Sequence, residues 1–270
     1  MTTLHGGWGG SADRDGGLEV VCVPTEPAMV RAIRLPPPSL DYYLIRSRRP
    51  DGESSTEPAG IVVEEFVLDE NFSAVRLDST GWTPGDRRWR DSSAVSRGMR
   101  VDAAARSHVG PISRQDAETI YRRLGGGELP DEETLRSYFG AGEPLATAAP
   151  LRLGLGQVAT GFRDTRVYRI LFANELTTDR LAHLEAAWGM RITDGSVHPH
   201  TRVAGTASRR LGDDVFTWEL RRIGAGVAWC IDLTANLASS CGDAIGPLMR
   251  ELTTVMRCQG LIPVTIERFS

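Results

Sequence analysis

The sequence predicts an α+β protein: an N-terminal mixed α+β half, then a C-terminal unit ordered β-α-β-β-α-β, the ferredoxin-like arrangement. Three observations predict it. Short runs rich in β-branched and aromatic residues alternate at a period of two. Two segments near the C-terminus repeat their apolar residues at helical spacing, and glycine, proline and small polar residues separate the runs.

Residues 165–173 form the first strand of this unit, through Val167, Tyr168, Ile170, Leu171 and Phe172. Thr177, Thr178 and Asp179 then offer caps for a helix with Leu181, Leu184 and Trp188 on one stripe. Residues 191–212 read as polar and irregular. From Asp214 to Arg222, Phe216, Trp218 and Leu220 face one way, and Thr217, Glu219 and Arg221 the other. The link Ile223-Gly224-Ala225-Gly226 leads into residues 227–233, so the two strands read as an antiparallel hairpin. Ile245, Leu248, Met249, Leu252 and Met256 mark a second helix, with Pro247 tolerated in its first turns and Gly260 at its end. Residues 261–269 close the unit as a strand with Ile262, Val264 and Ile266 alternating. Both helices are expected on one face of a four-stranded sheet. Phe172 and Trp229 are the apolar candidates for the other face.

Residues 18–23, 41–46, 61–68 and 73–77 read as N-terminal strands, with a short helix around residues 29–33. Residues 114–124 and 131–139 read as two short helices, the first capped by Ser113 and the pair divided by Gly125-Gly126-Gly127. The small-residue stretch 140–150 is the expected boundary. This gives a tail at 1–17, an N-terminal region at 18–145 and the ferredoxin-like domain at 150–270.

Composition excludes several chemistries. All 31 basic residues are arginine and none is lysine. Schiff-base and pyridoxal-phosphate chemistry, a P-loop or a kinase lysine therefore cannot be built. Net charge is −4, which gives no overall attraction for nucleic acid, although residues 1–75 are locally acidic and 76–123 locally basic. Cys22, Cys230, Cys241 and Cys258 are scattered, without the density or spacing of a disulfide scaffold. Neither a signal peptide nor an apolar run of membrane length is visible, so the cytoplasm is the expected compartment. No cofactor motif is present: Leu153-Gly154-Leu155-Gly156 lacks the strand-to-helix setting that a dinucleotide site needs.

Three groups of residues could carry chemistry. Arg87, Arg88, Arg90, Arg97 and Arg100, interleaved with Trp82 and Trp89, could bind phosphate or another anion through guanidinium forks, or could be a solvated surface. His198 and His200 could reach one metal from one strand face, or be an inert loop pair around Pro199. Strands 171–176 and 226–231 sit where RNA-recognition motifs carry stacking aromatics, but the second lacks the basic-Gly start of that motif.

The chain resembles uncharacterised actinobacterial proteins of about this length. Gly81-Trp82, residues 114–127, Arg166 to Ile170, Trp218 to Gly224 and the closing strand carry the resemblance, over about the last two thirds. It implies a lineage and no activity. The expected function is that of a binding or protein-interaction module, with a homodimer through the free sheet face as one assembly. The competing readings are an enzyme for an anionic small molecule, with an Arg/His site between the halves, and RNA binding.

Overall fold

In the computed structural model, residues 39–48, 54–145, 158–192, 203–224, 228–239 and 241–269 are described, and these described residues pack as one compact unit. The strands and helices expected before residue 39 lie outside the described residues, as does most of the expected 140–150 boundary. The described chain is mixed α+β, with two antiparallel sheets and six helices.

The first sheet is built from β1 (Asp41–Arg48), β2 (Ser54–Leu68), β3 (Ala74–Trp82) and the two-residue β4 (Arg90–Asp91). Then come α1 (Ser93–Val101), α2 (Ala103–Ser107), β5 (Val109–Ile112), α3 (Arg114–Arg123), α4 (Glu132–Ser137) and β6 (Glu143–Pro144). The strand order is β4-β3-β2-β1-β5, with β6 also paired to β3. Ser113 caps α3 in a capping box with Asp116, and Asp131 caps α4 through the Thr134 amide. The helices at 93–107 fall in a stretch that reads as a turn-rich arginine cluster. Their small and charged residues hide the one large apolar inward side chain, Met99.

The second sheet follows as β7 (Asp164–Ala173), α5 (Thr178–Trp188), β8 (Arg191–Ile192), β9 (Val203–Leu211), β10 (Asp214–Ile223), β11 (Ala228–Leu237), α6 (Ile245–Cys258) and β12 (Ile262–Arg268). Its order is β12-β7-β11-β10-β9-β8. The four expected strands are consecutive neighbours, but the sheet has six strands rather than four. β8 and β9 arise from the stretch that reads as irregular. Thr177 caps α5, and left-handed Gly189 ends it.

Register explains the facing. Trp229 lies opposite Phe172, Ile231 opposite Ile170, and Leu233 opposite both Tyr168 and Trp218. These side chains form one core with Leu184 and Trp188 of α5 and Leu248, Leu252 and Met256 of α6. Both helices therefore cover the same sheet face. Phe172 and Trp229 belong to that covered face, correcting their expected place on the open one, because they share parity with Ile170 and Ile231. The open face instead carries an ionic ladder. Arg169 grips Asp232 at 2.6 and 2.8 Å, and Arg221 contacts both Glu219 and Asp232.

The first sheet packs against the outer side of α6. Its Tyr43 and Val62 share a core with Met99 and Ile262, while Phe66, Leu68 and Phe72 pack on the second sheet's core. Its opposite face, with Tyr42, Ile61, Val63 and Trp82, is covered by Ala117, Tyr121 and Leu135 of α3 and α4. The layers thus run sheet, helices, sheet, helices. α6 lies between the two sheets.

Candidate functional site

The arginines of the sequence cluster do not converge: two are exposed and three go to separate partners. Arg87 sits at φ 51° in a turn closed by its own amide on the Thr83 carbonyl, and it and Arg88 are exposed. Arg90 pairs with Asp86 at 3.1 Å on the surface, and Arg97 with Glu143 at 3.0 Å. Arg100 turns inward: its side chain is 5% exposed and donates to both Glu64 oxygens at 3.0 and 2.6 Å, and to the Ser96 and Pro263 carbonyls. Trp89 stacks on Tyr138 and Tyr121, and Trp82 meets Tyr121 edge-on, so these rings face one another within the fold. His198 and His200 lie outside the described residues. Among those described, no group of three or more His, Cys, Asp or Glu is placed to hold a metal.

A different set of arginines converges. A cleft of about 790 Å³ opens between the β5 edge of the first sheet and the α5 and α6 side of the second. Arg46, Arg106, Arg114, Arg180 and Arg257 line it, against the two carboxylates Asp116 and Glu132. Arg106 donates only to backbone carbonyls, those of Met99 and Arg100. Among the described residues no carboxylate pairs with Arg46, Arg106 or Arg180. Elsewhere several arginine forks close on a neighbouring acid, as in Arg136 with Glu65 and Arg209 with Glu251.

Two glycines give the unpaired guanidinium groups their seats. Arg46 lies over Gly110 of β5, where an added Cβ would fall 2.9 Å from a guanidinium nitrogen. Arg180 lies over Gly260, after α6, at the same distance. Gly260 also has φ 81°, a conformation that strains any side-chain-bearing residue. Asn174 ends β7 on the cleft wall with φ 88°, and its amide donates to the Gly260 carbonyl at 2.9 Å. A non-glycine residue held at positive φ carries backbone strain that a site can use to fix its wall.

At the other end, the Tyr42 hydroxyl accepts from Arg114 and donates to Glu132 Oε1 at 3.1 Å. Glu132 also accepts from the Leu40 amide at 3.2 Å, and Arg114 donates to the Pro130 carbonyl. Burial, followed by the Glu132 charge, pushes the Tyr42 phenol well above its ordinary range, so it stays neutral. This corner is a satisfied network that fixes the wall.

Arg257 of α6 closes the floor. It donates to Asp41 Oδ1 at 2.7 Å and to the Tyr42 carbonyl at 3.0 Å, and lies over the Tyr43 ring. Behind it is a second cavity of about 370 Å³, lined by Asp41, Glu64, Glu65, Phe66 and Phe72 among others. Burial is the largest influence on the Asp41 carboxyl and lifts it to about 6, against the pull of Arg257. Asp41 keeps 21% side-chain exposure, and it lines the second cavity rather than the cleft.

Sequence reading passes over the cleft because its arginines stand singly in five different elements or turns. The only local signals are Gly110 and Gly260, which look like ordinary breakers. No family model, curated protein or solved structure matches the chain.

Proposed function

We propose that this protein binds a small anionic ligand in the cleft between its two sheets. One observation carries the reading: among the described residues, three arginines without carboxylate partners, Arg46, Arg106 and Arg180, line a single concave site, while buried and half-buried arginines such as Arg100, Arg136 and Arg169 close on acids of the chain. A planar guanidinium grips phosphate, sulfate or carboxylate oxygens bidentately, and the volume is that of a small-molecule site. Binding is favoured over turnover. Tyr42 is held neutral between Arg114 and Glu132, and no described histidine lines the cleft.

The second sheet supports the ferredoxin-like reading through its order β12-β7-β11-β10, with β9 and β8 added at one edge. RNA stacking on that sheet draws no support, since Phe172 and Trp229 are 0% and 6% exposed beneath the helices. Cys230, Cys241 and Cys258 are free thiols, which agrees with a cytoplasmic setting. No described helix is long and apolar enough to cross a membrane.

The test is calorimetric titration with sulfate at low ionic strength. Arg46→Ala and Arg180→Ala are each expected to weaken binding about tenfold or more, the scale of a charged hydrogen bond. The triple variant Arg87→Ala, Arg88→Ala, Arg90→Ala is expected to bind like wild type. The reverse pattern would move the site to the turn after β3 and sink the cleft reading.

A further inference from the structure

We propose that the cleft takes up its anion together with a proton, and that Asp41 is the group that receives it. The inference rests on the cleft being the binding site. It starts from the Asp41–Arg257 pair, which stands as the partition between two cavities. Arg257 lines the basic cleft and Asp41 lines the second cavity, while Ser39 and Thr254 border both. The 2.7 Å contact between them crosses that wall. An anion in the cleft therefore approaches Arg257 from the side opposite Asp41 and competes for the same guanidinium.

The surroundings of Asp41 set the direction. From β2, Glu64 and Glu65 repel it; from α6 and α1, Arg257 and Arg100 attract it. Glu64 is held by Arg100 and Glu65 by Arg136, each through a two-point contact, so these carboxylates stay engaged. Tyr43, on the same strand, is buried and pushed further from ionisation. The Asp41 carboxyl, by contrast, has only the Arg257 contact and is already raised to about 6 by burial. An anion that draws on Arg257 removes the main attraction holding Asp41 charged, and adds repulsion of its own. Its pKa in the bound state must then exceed its pKa in the free state.

Linkage fixes the sign. Affinity is greatest below the free-state pKa, falls as pH rises towards the bound-state pKa, and levels off above it. The total fall is tenfold for each unit of difference between the two pKa values. Sulfate suits the test because its own charge does not change across this range.

Sulfate binding is measured by calorimetry at pH 6.5 in two buffers of different ionisation enthalpy, for wild type and for Asp41→Asn. The Asn oxygen can still accept from Arg257. We expect net proton uptake on binding to wild type, tighter binding at pH 5.5 than at pH 8, and neither effect in the variant. Sulfate binding to wild type without proton uptake overturns the proposal and leaves the cleft reading standing, as does uptake that persists in Asp41→Asn. Absence of sulfate binding at both pH 5.5 and pH 8 defeats the cleft reading itself, and this proposal with it. Should Asp41→Asn not fold, Asp41→Ser takes its place in the same two-buffer comparison.

Discussion

Arginines of one type and similar local sequence meet opposite fates in this molecule. Arg100 and Glu64 have side chains 5% and 1% exposed, so neither can be relieved by water if the other is removed. Arg100→Ala should lower stability by about 3–5 kcal/mol in urea unfolding, the cost of leaving a buried charge unpaired. Arg87→Ala and Arg88→Ala should each stay within about 0.5 kcal/mol of wild type. Equal effects at the three positions would mean that Arg100 is not held as the structure places it. Nothing in residues 87–100 distinguishes them beforehand. The difference comes from α1, which turns its last-turn arginine onto β2. Asp41 carries a pH signature on stability as well. Its carboxyl is near 3.8 when unfolded and about 6 when folded, so folding favours its protonated form. The stabilisation is complete below pH 3.8, fades as pH rises and is gone above about 6, on the order of 3 kcal/mol in all. Urea midpoints from pH 4 to 7 should therefore drop for wild type relative to Asp41→Asn. A constant gap would place Asp41 at its ordinary pKa.

At the scale of elements, legibility follows how much a segment depends on its own pattern. β7, α5, β10, β11, α6 and β12 are readable because each alternates or repeats its own large apolar residues, such as Phe216, Trp218 and Leu220 in β10. β9 is not. Its positions opposite Leu220 and Trp218 are Gly205 and Ala207, and Met190 fills the space where a Gly205 side chain would lie. Its next inward position, Arg209, sets its guanidinium over the Trp218 ring and pairs with Glu251 of α6. A strand made from small residues and arginine has no hydrophobic period to detect. The cleft walls hide in the same way, since Gly110 and Gly260 act by what they leave empty. Gly110→Ala should push the Arg46 guanidinium off β5, and Gly260→Ala should both displace Arg180 and strain a positive φ. Each is expected to weaken sulfate binding several-fold. Gly260→Ala should also cost about 1 kcal/mol of stability through its backbone. Sulfate affinity unchanged in both variants would show that the arginine seats do not matter to the site.

Over the whole molecule, the two halves are bound by more than a linker. Ile262 of the second sheet is buried with Tyr43, Val62 and Met99 of the first half, and Phe66, Leu68 and Phe72 pack onto the core beneath α6. Arg257 on α6 has its carboxylate on β1, and Arg100 on α1 reaches the Pro263 carbonyl of β12. These contacts join residues more than 160 positions apart in sequence, so no local pattern announces them. A small-residue stretch at 140–150 reads as a boundary, yet the side chains on either side share cores. Two such halves should unfold together. Tryptophan fluorescence and far-UV circular dichroism are expected to give coincident, single transitions in urea. A fragment of residues 158–270 would keep the six-stranded sheet but expose Ile262 and leave Arg257 without Asp41. The surface uncovered at Ile262 and beneath Phe66, Leu68 and Phe72 is apolar burial that the full chain has and the fragment lacks. The fragment is therefore expected to melt well below the full chain or to aggregate. A fragment with an independent cooperative transition near that of the full chain would show that the second half is a self-sufficient domain. The cleft would then lie at a docking surface between two independently stable bodies.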